Sequence, residues 1–353
     1  MTILSKEEIN RYIQQIRLPE IGIAGQEKIK KSSVLVIGTG GLGCPVLQYL
    51  TAAGVGSIGI MDNDWVDESN LHRQILFNVN DLSKPKPLAA KEKLQLLNPN
   101  VEFKIHFSRL NKNNSLKILS QYDIIVDCTD NFPSRYLIND SCVILDKPDV
   151  YGAIHKFSGQ VMVLNYKSGP TLRCIYPQPP HPLEIPSCEE SGVIGSVTGL
   201  IGALQATEVF KIILDLGGIL SGKLFMIDTL NFNTQVSSFV RNPEFSKITE
   251  LGEYEDVSLC NTQSVREISA DDLNKMLSIN PGIRVIDLRD KEDNEDIGYE
   301  TIMIPHFEIN RMINLISATD PVVFYCRSGS RTISVINYLQ EVYKMNNLYS
   351  LMI

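Results

Sequence analysis

The run Val34-Leu-Val-Ile37 passes directly into Gly38-Thr-Gly40-Gly41-Leu-Gly43, and an apolar-spaced segment follows over 42–53. A β-branched strand, a glycine loop and a helix in that order demand a parallel α/β unit. The glycines permit a tight turn and bring phosphate against a helix N-terminus. Further strands are expected at 57–61, 101–107 and 122–127, with helices at 5–31, at 86–97 and from 133 onward. This alternation predicts a mainly parallel sheet with its active residues at the carboxyl ends of strands, where Asp62 and Asp130 fall. More β structure is expected at 148–166, then a proline-rich extended stretch at 177–186 and a small-residue helix at 193–214.

The loop alone serves NAD and ATP equally, and Asp62 stands about 20 residues on, where a ribose-binding carboxylate belongs. The following residues separate the two. Asp62-Asn-Asp64, Asn70-Leu-His-Arg73-Gln74 and Lys84-Pro-Lys86 gather carboxylate, amide, guanidinium and ammonium groups. That mixture means chemistry at the phosphates, which a dehydrogenase leaves untouched. Arg73 and Lys86 can neutralise charge on a transferring phosphoryl group, and Asn70 can donate to a phosphate oxygen. Asp130 can hold Mg2+. Any one of these residues alone would be an ordinary surface charge; the signal is their order behind one glycine loop.

The net charge of −8 argues against a general nucleic-acid binder. The polar start MTILSKEEIN lacks a signal-peptide core, and no apolar run reads as long enough to span a bilayer, so a cytoplasmic chain is expected. Seven cysteines are scattered with no Cys-x-x-Cys spacing, so most should be inert free thiols. Two stand in informative contexts. Cys188 follows the proline-rich stretch and precedes a helix N-terminus, which can lower a thiol pKa. After an acidic, aperiodic stretch at 249–262 the α/β pattern restarts, with Ser269 as a helix cap and strands at 284–289 and 322–325. There Cys326-Arg327-Ser328-Gly329-Ser330-Arg331 places a thiol in a backbone-amide cradle that favours thiolate and persulfide. Its four residues between Cys and Arg make a tighter loop than a phosphatase uses, which favours sulfur over phosphate.

Taken as an ordered set, Arg11-Tyr12 with Gln15-Ile16, GTGGLG, Asp62-x-Asp64, NLHRQ, KPK, CTDNFPSRYLIND (128–140), VYGAI (150–154) and SCEESGVIG (187–195) resemble the MoeB/ThiF/HesA family of ubiquitin-activating-enzyme-like adenylyltransferases. The resemblance runs through 5–248. It implies an ATP- and Mg2+-dependent enzyme that adenylylates the C-terminal glycine of a ubiquitin-like sulfur-carrier protein with a Gly-Gly tail, MoaD-like or ThiS-like. It also implies a homodimer. By matching position it assigns Gly38, Gly40, Gly41, Gly43 and Asp62 to the nucleotide, and Asp64, Asn70, Arg73, Gln74 and Lys86 to its phosphates. Asp130 is implied to bind Mg2+, and Cys188 to take the activated carrier in some relatives. The nucleophile is a carboxylate and already ionised, so positioning and charge neutralisation carry the rate.

Two departures from the family stand out. Gln14 replaces an arginine that reaches a neighbour's phosphates across a dimer. The positions of two zinc-binding Cys-x-x-Cys pairs hold Thr171, Cys174, Phe245 and Ile248, so zinc is expected to be absent, with Phe245 and Ile248 packing in its place. The Cys326 loop, with Val-Ile-Asp287-Leu-Arg289 and Ile304-Pro-His306, resembles a rhodanese. The expected fold class is therefore α/β. A Rossmann-like, mainly parallel sheet with an antiparallel extension spans 1–248, a linker spans 249–262, and a smaller rhodanese-like domain, short at its C-terminal end, spans 263–353. The expected function is adenylylation of the carrier coupled to sulfur transfer from a Cys326 persulfide, fed by an upstream donor such as a cysteine desulfurase. A non-enzymatic carrier-binding scaffold and an NAD-dependent oxidoreductase are the alternatives.

Overall fold

The computed structural model describes residues 2–179, 192–245, 247–254, 265–289, 296–306, 308–316 and 320–352. Within them one compact unit runs to Tyr254 and a second begins at Val265.

The first unit is built on an eight-stranded sheet of order β3-β2-β1-β4-β5-β6-β7-β8. Strands β1 (Ser33–Ile37), β2 (Ser57–Asp62), β3 (Glu102–Phe107), β4 (Ile124–Asp127) and β5 (Asp149–His155) run parallel. Strands β6 (Ser158–Leu164), β7 (Lys223–Asp228) and β8 (Asn233–Ser238) extend it antiparallel. β1 lies at the centre, pairing Leu35 with Gly59 on one side and Ile125 on the other. Both faces of a central parallel strand are covered, so Val34 to Ile37 are buried without alternation.

The helix Gly43–Ala53 leaves the glycine loop and stops at Gly54, whose φ of 84° is a left-handed C-cap. The helix Lys86–Leu97 has the expected bounds. The helix Phe132–Leu145 is capped by Asn131, whose side chain accepts from the Ser134 N–H. The helix Gly195–Leu214 corrects one expectation: it is apolar and long enough to cross a membrane. Here its apolar residues Val197, Ile201, Ala206 and Val209 belong to the buried core, and Gln205 donates to the carbonyls of Asp127 at 2.8 Å and Val150 at 3.0 Å. A Cβ on Gly152 would strike the Gln205 carboxamide at 2.4 Å, so this glycine admits the side chain that ties helix to sheet.

The second unit is a five-stranded sheet of order β11-β10-β12-β13-β9, parallel throughout. Its strands are β9 (Arg266–Ser269), β10 (Arg284–Asp287), β11 (Thr301–Met303), β12 (Val322–Tyr325) and β13 (Leu348–Met352). Ser269 caps the helix Ala270–Ile279 as expected, accepting from the Asp272 N–H at 3.2 Å. The helix Ser330–Tyr343 follows β12. The last described residues are not loose: Leu348 and Leu351 are fully buried, and β13 pairs with both β12 and β9.

Candidate active site

The four loop glycines serve different ends. Gly38 has φ 92°, and a Cβ there would lie 2.6 Å from the Cys128 carbonyl oxygen at the end of β4. A Cβ on Gly43 would lie 2.0 Å from the Gly38 carbonyl oxygen, and one on Gly41 would lie 2.9 Å from Cγ2 of Thr198. These three are required by close packing. Gly40 differs: its Cβ would meet only the Gln74 Nε2, at 3.8 Å. Its open face is the cradle that a phosphate can fill.

At the end of β2 the Asp62 carboxylate accepts from the Thr39 N–H at 2.7 Å and the Asp64 N–H at 2.9 Å. Burial pushes its carboxyl up, and the Thr39 amide, Lys86 and the Asp64 amide oppose that shift. Asp64 accepts from the Lys86 ammonium at 3.0 Å. The pair is asymmetric: the Lys86 side chain is 6% exposed and the Asp64 side chain 62%. Asn70 closes the 3-10 turn Glu68–Asn70, whose cap is Asp67. Its Oδ1 accepts from Arg73 at 3.2 Å and from Gln74 at 2.7 Å. That one amide therefore orients both a guanidinium and a carboxamide. Gln74 is 3% exposed, and its Oε1 is a buried acceptor with no donor among the described residues. Asp64, Asn70 and Lys86 line an open cleft of about 390 Å³ with Trp65, Val66, Asp67 and Ser83.

Asp130 is exposed three residues past β4, accepts from the Asn131 amide at 3.3 Å, and is not part of that cleft lining. Behind it Asp127 and Asp149 are buried with Arg135, and Arg135 stacks on the Tyr151 ring at 4.5 Å. Burial pushes the carboxyls of both aspartates up, that of Asp149 well up. Sequence reasoning passed over Thr39, which fixes Asp62, and Thr198. The Thr198 hydroxyl donates to the Gly195 carbonyl at 2.6 Å and lies 3.4 Å from the Arg73 carbonyl, seating the Gly195–Leu214 helix on the NLHRQ segment. A Cβ on Gly195 would lie 2.4 Å from the His72 carbonyl oxygen. The small residues at that helix start were the available signal.

Three thiols are core residues. Burial raises Cys44 to about 12 and pushes Cys128 and Cys142 well above the ordinary thiol range. Cys188 lies outside the described residues, as does most of the proline-rich stretch and part of the 249–262 linker. Cys326 follows β12 and is 4% exposed. Gly329, with φ 75°, caps the helix that begins at Ser330, so the loop turns in a left-handed step before the helix.

Thr171 and Cys174 do not offer zinc a four-thiolate set. Cys174 Sγ instead accepts from the N–H groups of Thr171 and Asn242, both at 3.3 Å. The Thr171 hydroxyl donates to the Phe245 carbonyl at 3.5 Å. Polar contacts thus link Thr171 and Cys174 to the 242–245 segment.

The sequence profile of the ThiF family matches residues 12–247. Over 244 residues the chain is 47% identical to the sulfur carrier protein adenylyltransferase of Thermus thermophilus, covering 68% of this chain and 90% of that protein. It is 36% identical over 380 residues to the adenylyltransferase and sulfurtransferase MOCS3 of Anopheles gambiae, covering 99% of this chain and 85% of that one. It is 37% identical over 342 residues to the probable adenylyltransferase/sulfurtransferase MoeZ of Mycobacterium tuberculosis, covering 93% and 87%. Among solved structures, PaaA superposes with a TM-score of 0.58 at 20% identity, over 69% of this chain and 76% of that one. Escherichia coli MccB with MccA-N7isoASN superposes with a TM-score of 0.58 at 21% identity, over 69% and 74%. At such identity these two likenesses speak for the fold alone.

Proposed function

The chain belongs to the ThiF family, and from that premise we propose how its residues divide the work of an adenylyltransferase that acts on a sulfur-carrier protein. The observation that carries the reading is the open face of Gly40, which only Gln74 approaches, together with the linked contacts of Asp62 with Asp64, Asp64 with Lys86, and Asn70 with Arg73 and Gln74. Gly38, Gly41 and Gly43 shape the loop, and Asp62 receives the ribose of ATP.

The carrier's terminal glycine carboxylate attacks the α-phosphorus of ATP. A carboxylate oxygen–phosphorus bond forms, the bond to the bridging oxygen breaks, and pyrophosphate leaves. No proton moves at the nucleophile, so no general base is called for. Lys86, nearly buried, and Arg73, held by Asn70, neutralise the oxygens that gain charge. The orphaned Gln74 Oε1 and the amide of Gln74 bracket the loop beside Gly40. Mg2+, held by Asp130 together with the phosphates, would supply further charge neutralisation; one carboxylate with substrate oxygens suits that ion. The residues at the zinc positions do not fit zinc, and no step uses it.

Residues 249–262 are read as the linker to the rhodanese-like domain. The outer sulfur of a Cys326 persulfide attacks the acyl-adenylate, expelling AMP and forming an acyl disulfide. A second thiol, for which Cys188 is the candidate, attacks the Cys326 sulfur, and the thiocarboxylate leaves as a disulfide forms. One chain carrying both activities raises the effective concentration of persulfide at the adenylate. The partners of this reading are a MoaD-like or ThiS-like carrier, an upstream donor such as a cysteine desulfurase, and a second copy of the chain.

The test is carrier-dependent ATP–pyrophosphate exchange with each carrier type in turn. Exchange is expected with one carrier, and its identity names the pathway. ATP binding with no exchange for any carrier would favour a scaffold. Cys326→Ala is expected to abolish thiocarboxylate formation and to leave exchange intact; loss of both would refute this division of labour.

A further inference from the structure

Ser350 and Thr332 form a buried hydroxyl pair beside the Cys326 loop. Both are 0% exposed, and their oxygens are 2.6 Å apart. Thr332 belongs to the helix after the cysteine loop, and Ser350 to β13, where it is paired in register with Phe324, two residues before Cys326. The Thr332 hydroxyl also donates to the Gly329 carbonyl at 2.7 Å, and its oxygen lies 4.0 Å from Cys326 Sγ.

A hydroxyl carries one proton. The proton of Thr332 has three possible acceptors: Gly329, Ser350 and the sulfur. If Thr332 donated to Ser350, neither of the other two would be served. With its proton on Gly329, the short contact to Ser350 requires Ser350 to be the donor. That donation holds equally when the Thr332 proton turns to the sulfur. A neutral thiol donates toward Thr332, whereas an anionic sulfur accepts only, so the direction of the Cys326–Thr332 contact reverses with the charge on sulfur.

We propose that Thr332 donates its hydroxyl proton to the anionic Cys326 sulfur, and that Ser350 is the positioning residue that keeps this proton available. The inference rests on reading Cys326 as the sulfur-carrying nucleophile. It extends that reading from the loop's amides to a side chain on the following helix and another on the last strand. A donor that itself accepts a hydrogen bond is the stronger donor. A hydrogen bond to a charged group contributes enough that its loss changes the anionic fraction by about tenfold. The gap of 4.0 Å is at the long limit of a hydrogen bond to sulfur, so Thr332 must close on the sulfur to donate to it.

The test is alkylation of the full-length protein by iodoacetamide, following Cys326 by peptide mass spectrometry. The ratio of rates at pH 9.5 and pH 7 cancels steric access and reports how much sulfur is still neutral at pH 7. Thr332→Val, which keeps the shape and loses the donor, should raise the ratio by up to about tenfold. Thr332→Ser should restore the parent ratio, and Ser350→Ala should fall between parent and Thr332→Val. Thiocarboxylate formation by Cys326→Ala at the parent rate would refute the nucleophile reading itself. A ratio that Thr332→Val leaves unchanged would refute the inference alone. Thr332→Ser behaving like Thr332→Val would also overturn it, since the methyl group would then be what matters.

Discussion

Replacing Lys86 by Met should separate catalysis from stability, because the two halves of its ion pair are so unequally buried. The Lys86 side chain is 6% exposed and the Asp64 side chain 62%, with 3.0 Å between the charged atoms. Methionine retains the apolar stem. It also removes an ammonium that had been largely withdrawn from water, while Asp64 is left in contact with solvent. A pair with one exposed member contributes about 0–1 kcal/mol, so the stability change should stay within about 1 kcal/mol. For a unit of this size that is a Tm shift of roughly 2–4 °C. Exchange should fall far more. Loss of one group aimed at developing charge costs roughly 2.7–4 kcal/mol, or about 10²–10³ in rate. The reverse variant, Asp64→Asn, strands the nearly buried ammonium, and should destabilise the fold by about 1–3 kcal/mol. Thermal melts and ATP–pyrophosphate exchange on both variants make the comparison. If Lys86→Met kept exchange within about threefold of the parent, or lost more stability than Asp64→Asn, the reasoning from unequal burial would be wrong.

Asp149→Asn should flatten the dependence of stability on pH. Burial first, then the charge of Asp127, holds the Asp149 carboxyl well above the ordinary carboxylate range of about 3.9. The folded state therefore keeps a proton that the unfolded chain releases. The stability from this group is fully present below about pH 4 and is lost as pH rises toward the folded value. Urea titrations between pH 4 and pH 8 should show a shallower decline in the variant, and equal slopes would refute the assignment. Treatment with EDTA should leave the melting temperature of the first unit unchanged, because Cys174 is engaged with the amides of Thr171 and Asn242. Elemental analysis showing one zinc per chain would contradict that.

The parts of this molecule most legible in the sequence are those whose chemistry is local. A β-branched run ending in glycine must turn, and Gly38 does so at φ 92°. The cap at Ser269 and the helix Lys86–Leu97 follow from side chains within a few residues of the elements they start. The site was legible in its residue types, because Asn70, Arg73 and Gln74 are neighbours along one short segment and meet through a single amide oxygen. The unread features depend on contacts distant in sequence. The antiparallel extension was expected but its outer strands were not: β8 presents Asn233 to Ser238 largely to solvent and lacks the apolar run of a central strand, and only the pairing of β7 with β6 and of β8 with β7 reveals them. Thr198 reaches the Arg73 carbonyl across 125 residues, and Gln205 donates to the carbonyls of Asp127 and Val150 from 78 and 55 residues away. Cys174 shows the same limit from the other side. Its neighbours in sequence report a missing zinc ligand set, while its actual partner Asn242 lies 68 residues away and supplies an amide. The final strand makes the point for function. No strand was expected at Leu348–Met352, yet Ser350 is buried there against Thr332 and reaches the sulfur loop through one hydroxyl. A polar residue in a buried strand is costly unless it has a partner. In this chain that cost marks where a strand remote in sequence bears on the reactive sulfur.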